Sequence, residues 1–189
     1  MNTKSSGMTL IELLVAIAVM AVLVAVAAPN FSDTIKRNRV QSQLRELVGS
    51  LATARSEAVS RSRRVTVCAS SDGATCTGAW REGWLVFVDG GTEGAKDAGD
   101  QILKVHDGIG ANSLKVIDNT NATPAVLAYV SFDRSGFTDR RITWSICDKD
   151  NDVSFARAVL MQNTGSAVLS SANANNVHED ITGAELTCP

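Results

Sequence analysis

Residues 7–29 read GMTLIELLVAIAVMAVLVAVAAP, and the rest of the chain is interpreted outward from them. Between Met8 and Ala28 there are 21 residues and one charge, Glu12. As a helix this span is ~31 Å long at ~1.5 Å per residue, the thickness of a bilayer's hydrocarbon core. A carboxylate near the middle of hydrocarbon costs ~2.5–3.5 kcal/mol, so Glu12 needs a compensating partner. It stands four residues after Met8. A cut after Gly7 would leave Met8 with a free amine one helical turn from that carboxylate. The amine of an adjacent subunit would serve equally well.

A secretory signal peptide is the competing reading. Lys4 supplies a positive start and Ala25-Val26-Ala27 a small-residue cleavage site, which would release a soluble periplasmic domain. Against it, the apolar run exceeds the ~7–15 residues of a signal core and contains an acid. The helical pattern also continues past it. Val40, Leu44, Leu47, Val48, Leu51, Ala54, Ala58 and Val59 recur at spacings of three and four, with Arg39, Gln43, Glu46, Ser50 and Arg61 opposite. One helix from Met8 to about Ser62 would be ~82 Å long, kinked at Pro29. Its second half has a domain to pack on. Its first half has no partner in the chain and must bury itself in lipid or among similar helices.

Gly7 followed by Met8-Thr9-Leu10-Ile11-Glu12, with a short charged leader before and Pro29 after, resembles the prepilin leader of type IV pilins and type II secretion pseudopilins. Met8 departs from the phenylalanine usual after the cut. The resemblance implies a prepilin peptidase that cleaves after Gly7 and methylates the Met8 amine. It also implies a Glu12 that pairs with a neighbour's N-terminus during assembly. The segments are then 1–7 leader, 8–28 transmembrane half-helix, 29–64 amphipathic half-helix and 65–189 head. The implied location is the inner membrane, crossed once, with the head in the periplasm. The implied partners are other major and minor pilins or pseudopilins.

After Arg64 the pattern turns to period two. Strands are expected at Val65–Ala69, Gly83–Val88, Ile102–His106, Leu114–Ile117, Val126–Phe132, Ile142–Cys147, Ala156–Met161 and Ala167–Leu169, between turn-rich stretches such as DGGTEGAKDAGD. Helix first and short strands after gives an α+β fold, with antiparallel sheets packed on the amphipathic half of the helix. Trp80-Arg-Glu-Gly-Trp84-Leu-Val-Phe-Val-Asp89, Asp97-Ala-Gly-Asp100, Ser131-Phe-Asp-Arg-Ser-Gly-Phe137 and Arg55-Ser-Glu-Ala58 are similar to motifs of the GspH/FimT group. That resemblance implies a head of two β-sheets and a part in priming or capping a pilus or pseudopilus.

Cys68, Cys76, Cys147 and Cys188 allow three pairings. Cys68–Cys76 with Cys147–Cys188 is preferred, since the first would clip a short loop and the second would staple the tail. Zinc has no CxxC to bind, and His106 and His178 lie far from any cysteine pair. Asp89, Glu93, Asp97 and Asp100 fit a calcium loop only in part, because Gly91 offers no side-chain oxygen. Asp148, Asp150 and Asp152 form a second acidic turn. Polar turns explain both clusters better, and no cofactor is expected.

Between Asp33 and Arg64 there are eight Lys/Arg against three Asp/Glu; from Val65 onward there are nine against sixteen. An acidic head repels phosphate, so nucleic acid is not an expected partner. DNA capture is associated in the group with arginines near the C-terminus, and the tail Thr182–Pro189 has none. Arg134, Arg140 and Arg141 are the remaining candidates for a small basic patch. Trp80 and Trp84 are read as core, His106 as a hydrogen-bonded surface residue, and Arg61, Arg63 and Arg64 as a solvated helix end. No GxSxG, phosphate loop, HExxH or CxxC is present, so the chain reads as structural rather than catalytic.

Overall fold

The computed structural model describes the backbone of residues 7–121 and 125–188, with side chains at all of these except 25–30 and 125–126. The expected leader, Gly7 apart, lies outside the described residues, as does the side chain of Pro29. Helix α1 runs Leu10–Arg61. It starts two residues later than expected because Thr9 caps it. Leu13 N–H donates to Thr9 O at 3.2 Å, and Glu12 N–H donates to Thr9 Oγ1 at 3.3 Å. At the other end Ser62 adopts a left-handed φ of 52°. Ser62 N–H then returns to Val59 O and Arg63 N–H to Ala58 O, the two bonds of a Schellman motif.

Contacts divide the chain into two units, Met1–Asn38 and Arg39–Pro189. The boundary falls inside the segment 29–64 that the sequence presents as one amphipathic half. In the first unit the described large apolar side chains, from Met8 to Val24 and again at Phe31 and Ile35, are all exposed. Among the described residues no helix is long and apolar enough to cross a membrane. The expected span Met8–Ala28 runs into side chains outside that description.

In the second unit the helix contributes Val40, Leu44, Leu47, Leu51, Ala54 and Ala58 to the core, spaced four, three, four, three and four. Val48 is half-buried, and Val59, expected on this stripe, is exposed because it follows Ala58 around the helix, off the buried face. Among the described residues nine strands follow: β1 Val65–Ala69, β2 Gly83–Val88, β3 Ile102–Asp107, β4 Ser113–Asp118, β5 Ala125–Val126, β6 Tyr129–Phe132, β7 Ile142–Cys147, β8 Arg157–Met161 and β9 Ala167–Leu169. They form two antiparallel sheets, β3-β2-β1-β6 and β5-β4-β7-β8-β9.

The expected strand Val126–Phe132 is therefore two strands in two sheets. The chain crosses between them at Leu127–Ala128. There Trp80 Nε1 donates to Leu127 O at 2.7 Å and Ala69 N–H donates to Ala128 O at 3.0 Å. These bonds satisfy the backbone where it leaves one ladder for the other.

The two sheets and the helical stripe share one core. Val67 pairs with Val86 and Val130 in the first sheet, and Trp144 with Val116 and Val159 in the second. Trp80 meets Trp144 edge to face at 6.0 Å. The opposite face of the first sheet is covered by a small cluster of Cys68, Leu85 and Phe87 with Cys76 and Tyr129. Leu186 and Cys188 of the tail cover Cys147, Ala156 and Ala158 on the second. Cys68 is bonded to Cys76 and Cys147 to Cys188. The first bond closes a turn in which Asp72 accepts from Ala74 N–H, Thr75 N–H and the Thr75 hydroxyl; these bonds hold its carboxyl well below the usual range.

Candidate assembly surface

The N-terminal helix offers a concentrated apolar surface. Leu10 is 78% and Ile11 71% exposed, and the described apolar side chains through Val24 follow them. Glu12 sits at the third helical position, where a carboxylate also complements the positive end of the helix dipole. Thr9-Leu-Ile-Glu12 has the spacing of a capping box, a signal carried by the sequence itself. Thr9 and Glu12 thus fix where the helix begins relative to Met8 and Gly7.

In the second unit, distant side chains tie the helix to the sheets. Glu46 accepts from His106 Nε2 at 2.8 Å, and the His106 ring lies flat on Trp84 at 3.9 Å and 4°. Its Nδ1 contacts Asp107 O. His106 is therefore a bridge from β3 to α1. Arg55, from the Arg-Ser-Glu-Ala motif, donates through Nε to Gly136 O at 3.1 Å. Gly136 has a φ of 77°, and a Cβ there would lie 2.9 Å from Val59 and 3.1 Å from the Arg55 side chain. This loop sits against the helix only because it is glycine.

The expectation of a wholly solvated arginine cluster at the helix end needs correcting. Arg64 donates to Asp89 Oδ1 at 2.7 Å and to Gly91 O at 2.7 Å. Asp89 is buried and also accepts from Thr66 Oγ1 at 2.8 Å and Gly94 N–H at 3.0 Å. The hydrogen bond to Asp89 holds the Arg64 guanidinium proton above its ordinary range, against the opposing effect of burial. The physical reason is the fold: strand β2 ends at Val88 and delivers Asp89 beside the helix terminus.

The calcium candidates are occupied otherwise. Asp97 Oδ2 accepts from Thr92 N–H at 2.9 Å, and Asp100 accepts from Gly90 N–H and Asp97 N–H, both at 2.9 Å. Glu93 lies 3.8 Å from Arg64. The Asp97 and Asp100 carboxylates thus accept from backbone amides of their own loop, and Glu93 faces Arg64. Among the described residues no three His, Cys, Asp or Glu side chains gather to hold a metal. In the second acidic turn Asp148 accepts from Asp152 N–H at 2.8 Å and Asp152 from Ser154 N–H at 2.9 Å.

The basic-patch candidates are divided in the same way. Arg140 donates to Asp118 Oδ2 at 2.6 Å. Burial pushes the Asp118 carboxyl up, but hydrogen bonds from Thr120 and Arg140 outweigh it and hold the carboxyl below its ordinary value. Arg134 instead lines a cleft with Arg63 and Arg64, where Glu93, Asp133 and Asp139 offset their charge. In the tail, His178 Nδ1 lies 2.7 Å from Ser170 Oγ, which accepts from Ala158 N–H. Burial, and then the charge of Arg157, push the His178 imidazole down.

Residues 43–165 match the family described as Type II transport protein GspH, and residues 2–28 match the prokaryotic N-terminal methylation motif. Two crystal structures of the type IV minor pilin FimU from Pseudomonas aeruginosa strain PAO1 have similar folds. One is 24% identical with a TM-score of 0.54, over 71% of this chain and 90% of that one. The other is 22% identical with a TM-score of 0.52, over 69% and 92%. The minor pseudopilin EpsH from the type 2 secretion system of Vibrio cholerae is 14% identical with a TM-score of 0.48, over 69% and 95%. No curated protein matches the chain. With a head that matches across the core strands and an N-terminus that carries the methylation motif, the chain belongs to the GspH family.

Proposed function

We propose that the chain is a minor pilin or pseudopilin, a structural subunit that primes or caps a type IV pilus or type II secretion pseudopilus. A prepilin peptidase cleaves after Gly7 and methylates the Met8 amine. The apolar segment 8–28 then crosses the inner membrane once, bending at Pro29, with the head in the periplasm. During assembly its apolar side chains exchange lipid for the helices of other pilins. Glu12 receives its counter-charge from an N-terminal amine. The role is packing rather than catalysis.

One observation carries this reading: the first unit exposes all its described large apolar side chains, while the second buries most of its own in a shared core. Exposed apolar surface of this extent marks a site of association or a membrane segment. Glu12→Ala tests it. Thermal unfolding of the full chain in detergent is expected to be unchanged, and incorporation into filaments to be lost. Normal incorporation of that variant would contradict the role given to Glu12.

A further inference from the structure

The second sheet ends at β9. Among the described residues β9 pairs with β8 and with no other strand. An open edge presents backbone donors and acceptors, and folded proteins guard such edges with charge, proline or a covering element. This one is unguarded by charge or proline. Residues 162–177, QNTGSAVLSSANANNV, carry neither in a chain that is 20% charged. Val168 and Leu169, consecutive on the strand and so on opposite faces, are 52% and 49% exposed.

Beside this edge runs a groove of about 500 Å³, lined by Val48, Ala52 and Val59 of α1 and by Gly165 and Ala167 at the start of β9. Its charged lining residue, Arg55, has Nε committed to Gly136 O. The loop entering β9 packs closely on the Gly136 backbone, where a Cβ on Gly165 would lie 2.1 Å from Gly136 O, and Thr138 N–H donates to Asn163 O at 3.0 Å. A strand added to β9 would lie over the groove and place alternate side chains in it. A backbone edge with a side-chain pocket beside it is the geometry of recognition by strand addition.

We propose that β9 is a docking edge for an extended, charge-free strand of a neighbouring filament subunit, whose aliphatic side chain seats against Val48, Ala52 and Val59. The inference rests on the filament-subunit reading above. A strand bearing charges along its paired edge is disfavoured because residues 162–177 offer no counter-charge, and a cationic side chain in the groove would meet the Arg55 guanidinium.

The test uses the full chain in cells that build its filament, with photoreactive benzoylphenylalanine in place of Val168. Mass spectrometry of the crosslinked peptide is expected to identify a charge-free, extended segment of another subunit. A crosslink to a helix, to a second copy of this chain, or to nothing overturns the proposal. Val168→Lys is expected to lower incorporation about tenfold by charging the edge, while the thermal midpoint stays at the parent value. Val168→Thr, uncharged and β-branched, is expected to incorporate normally. Loss of incorporation in both substitutions would reassign Val168 to folding and overturn the proposal. Glu12→Ala separates the two readings. If it abolishes incorporation while Val168→Lys does not, the edge proposal alone fails. If neither substitution matters, the filament-subunit reading fails and the edge proposal with it.

Discussion

The two ends of α1 are made of similar residues and behave in opposite ways. Between Leu10 and Val24 leucine, isoleucine and valine are exposed; between Val40 and Ala58 valine and leucine, with alanine, are buried along one stripe. The difference lies in their spacing and their neighbours. In the first stretch apolar residues surround the helix, so no single face can be satisfied by one packed layer. In the second they recur every three or four residues, and two sheets meet that face. A helix that is apolar all round is suited to an environment that is apolar all round, whether lipid or other helices.

Substitutions in the two halves should therefore have opposite signatures. The largest loss of stability is expected for Leu47→Ala, which empties a fully buried site shared by helix and sheets. It should lower unfolding free energy by about 3 kcal/mol, read by urea unfolding of the full chain. Arg64→Ala should cost about 2 kcal/mol in the same assay. It leaves the Asp89 carboxylate buried with fewer partners, and partial exposure of Arg64 keeps the effect below the 3–5 kcal/mol typical of fully buried pairs. Leu14→Ala should change stability by less than about 0.5 kcal/mol, because Leu14 touches solvent in the isolated chain. Its effect should appear in filament incorporation. A stability loss for Leu14→Ala as large as for Leu47→Ala would erase the contrast.

The smallest effect concerns the tail. The folded chain disfavours protonated His178, so the unfolded chain binds more protons below the ordinary value of 6.5. Stability contributed by neutral His178 is present above that value and is lost as pH falls through it. The thermal midpoint should drop between about pH 7 and about pH 5 by more in the parent than in His178→Gln.

Much of this was legible in the sequence, for local reasons. The stripe Val40–Ala58 repeats with the helical period, and β1, β2, β7 and β9 are short apolar runs bounded by turn residues, so propensity and pattern agree there. The run Val126–Phe132 misled because apolar content marks burial and not sheet membership. Only the bonds at Leu127 and Ala128 reveal that the chain changes sheets. Val59 misled because its neighbour Ala58 occupies the buried position.

The ties that hold helix to sheet were not legible. His106 meets Glu46 across 60 residues and Arg55 meets Gly136 across 81, and no local pattern specifies such pairs. Thr9-x-x-Glu12 was readable as a cap.

The proposed function requires that the N-terminal helix stay attached to the head in the mature subunit. The intact mass of the protein purified from membranes decides this. A chain beginning at N-methylated Met8 and retaining every later residue through Pro189 is the predicted result. A functional product beginning near Ala28, without the apolar helix, would contradict it.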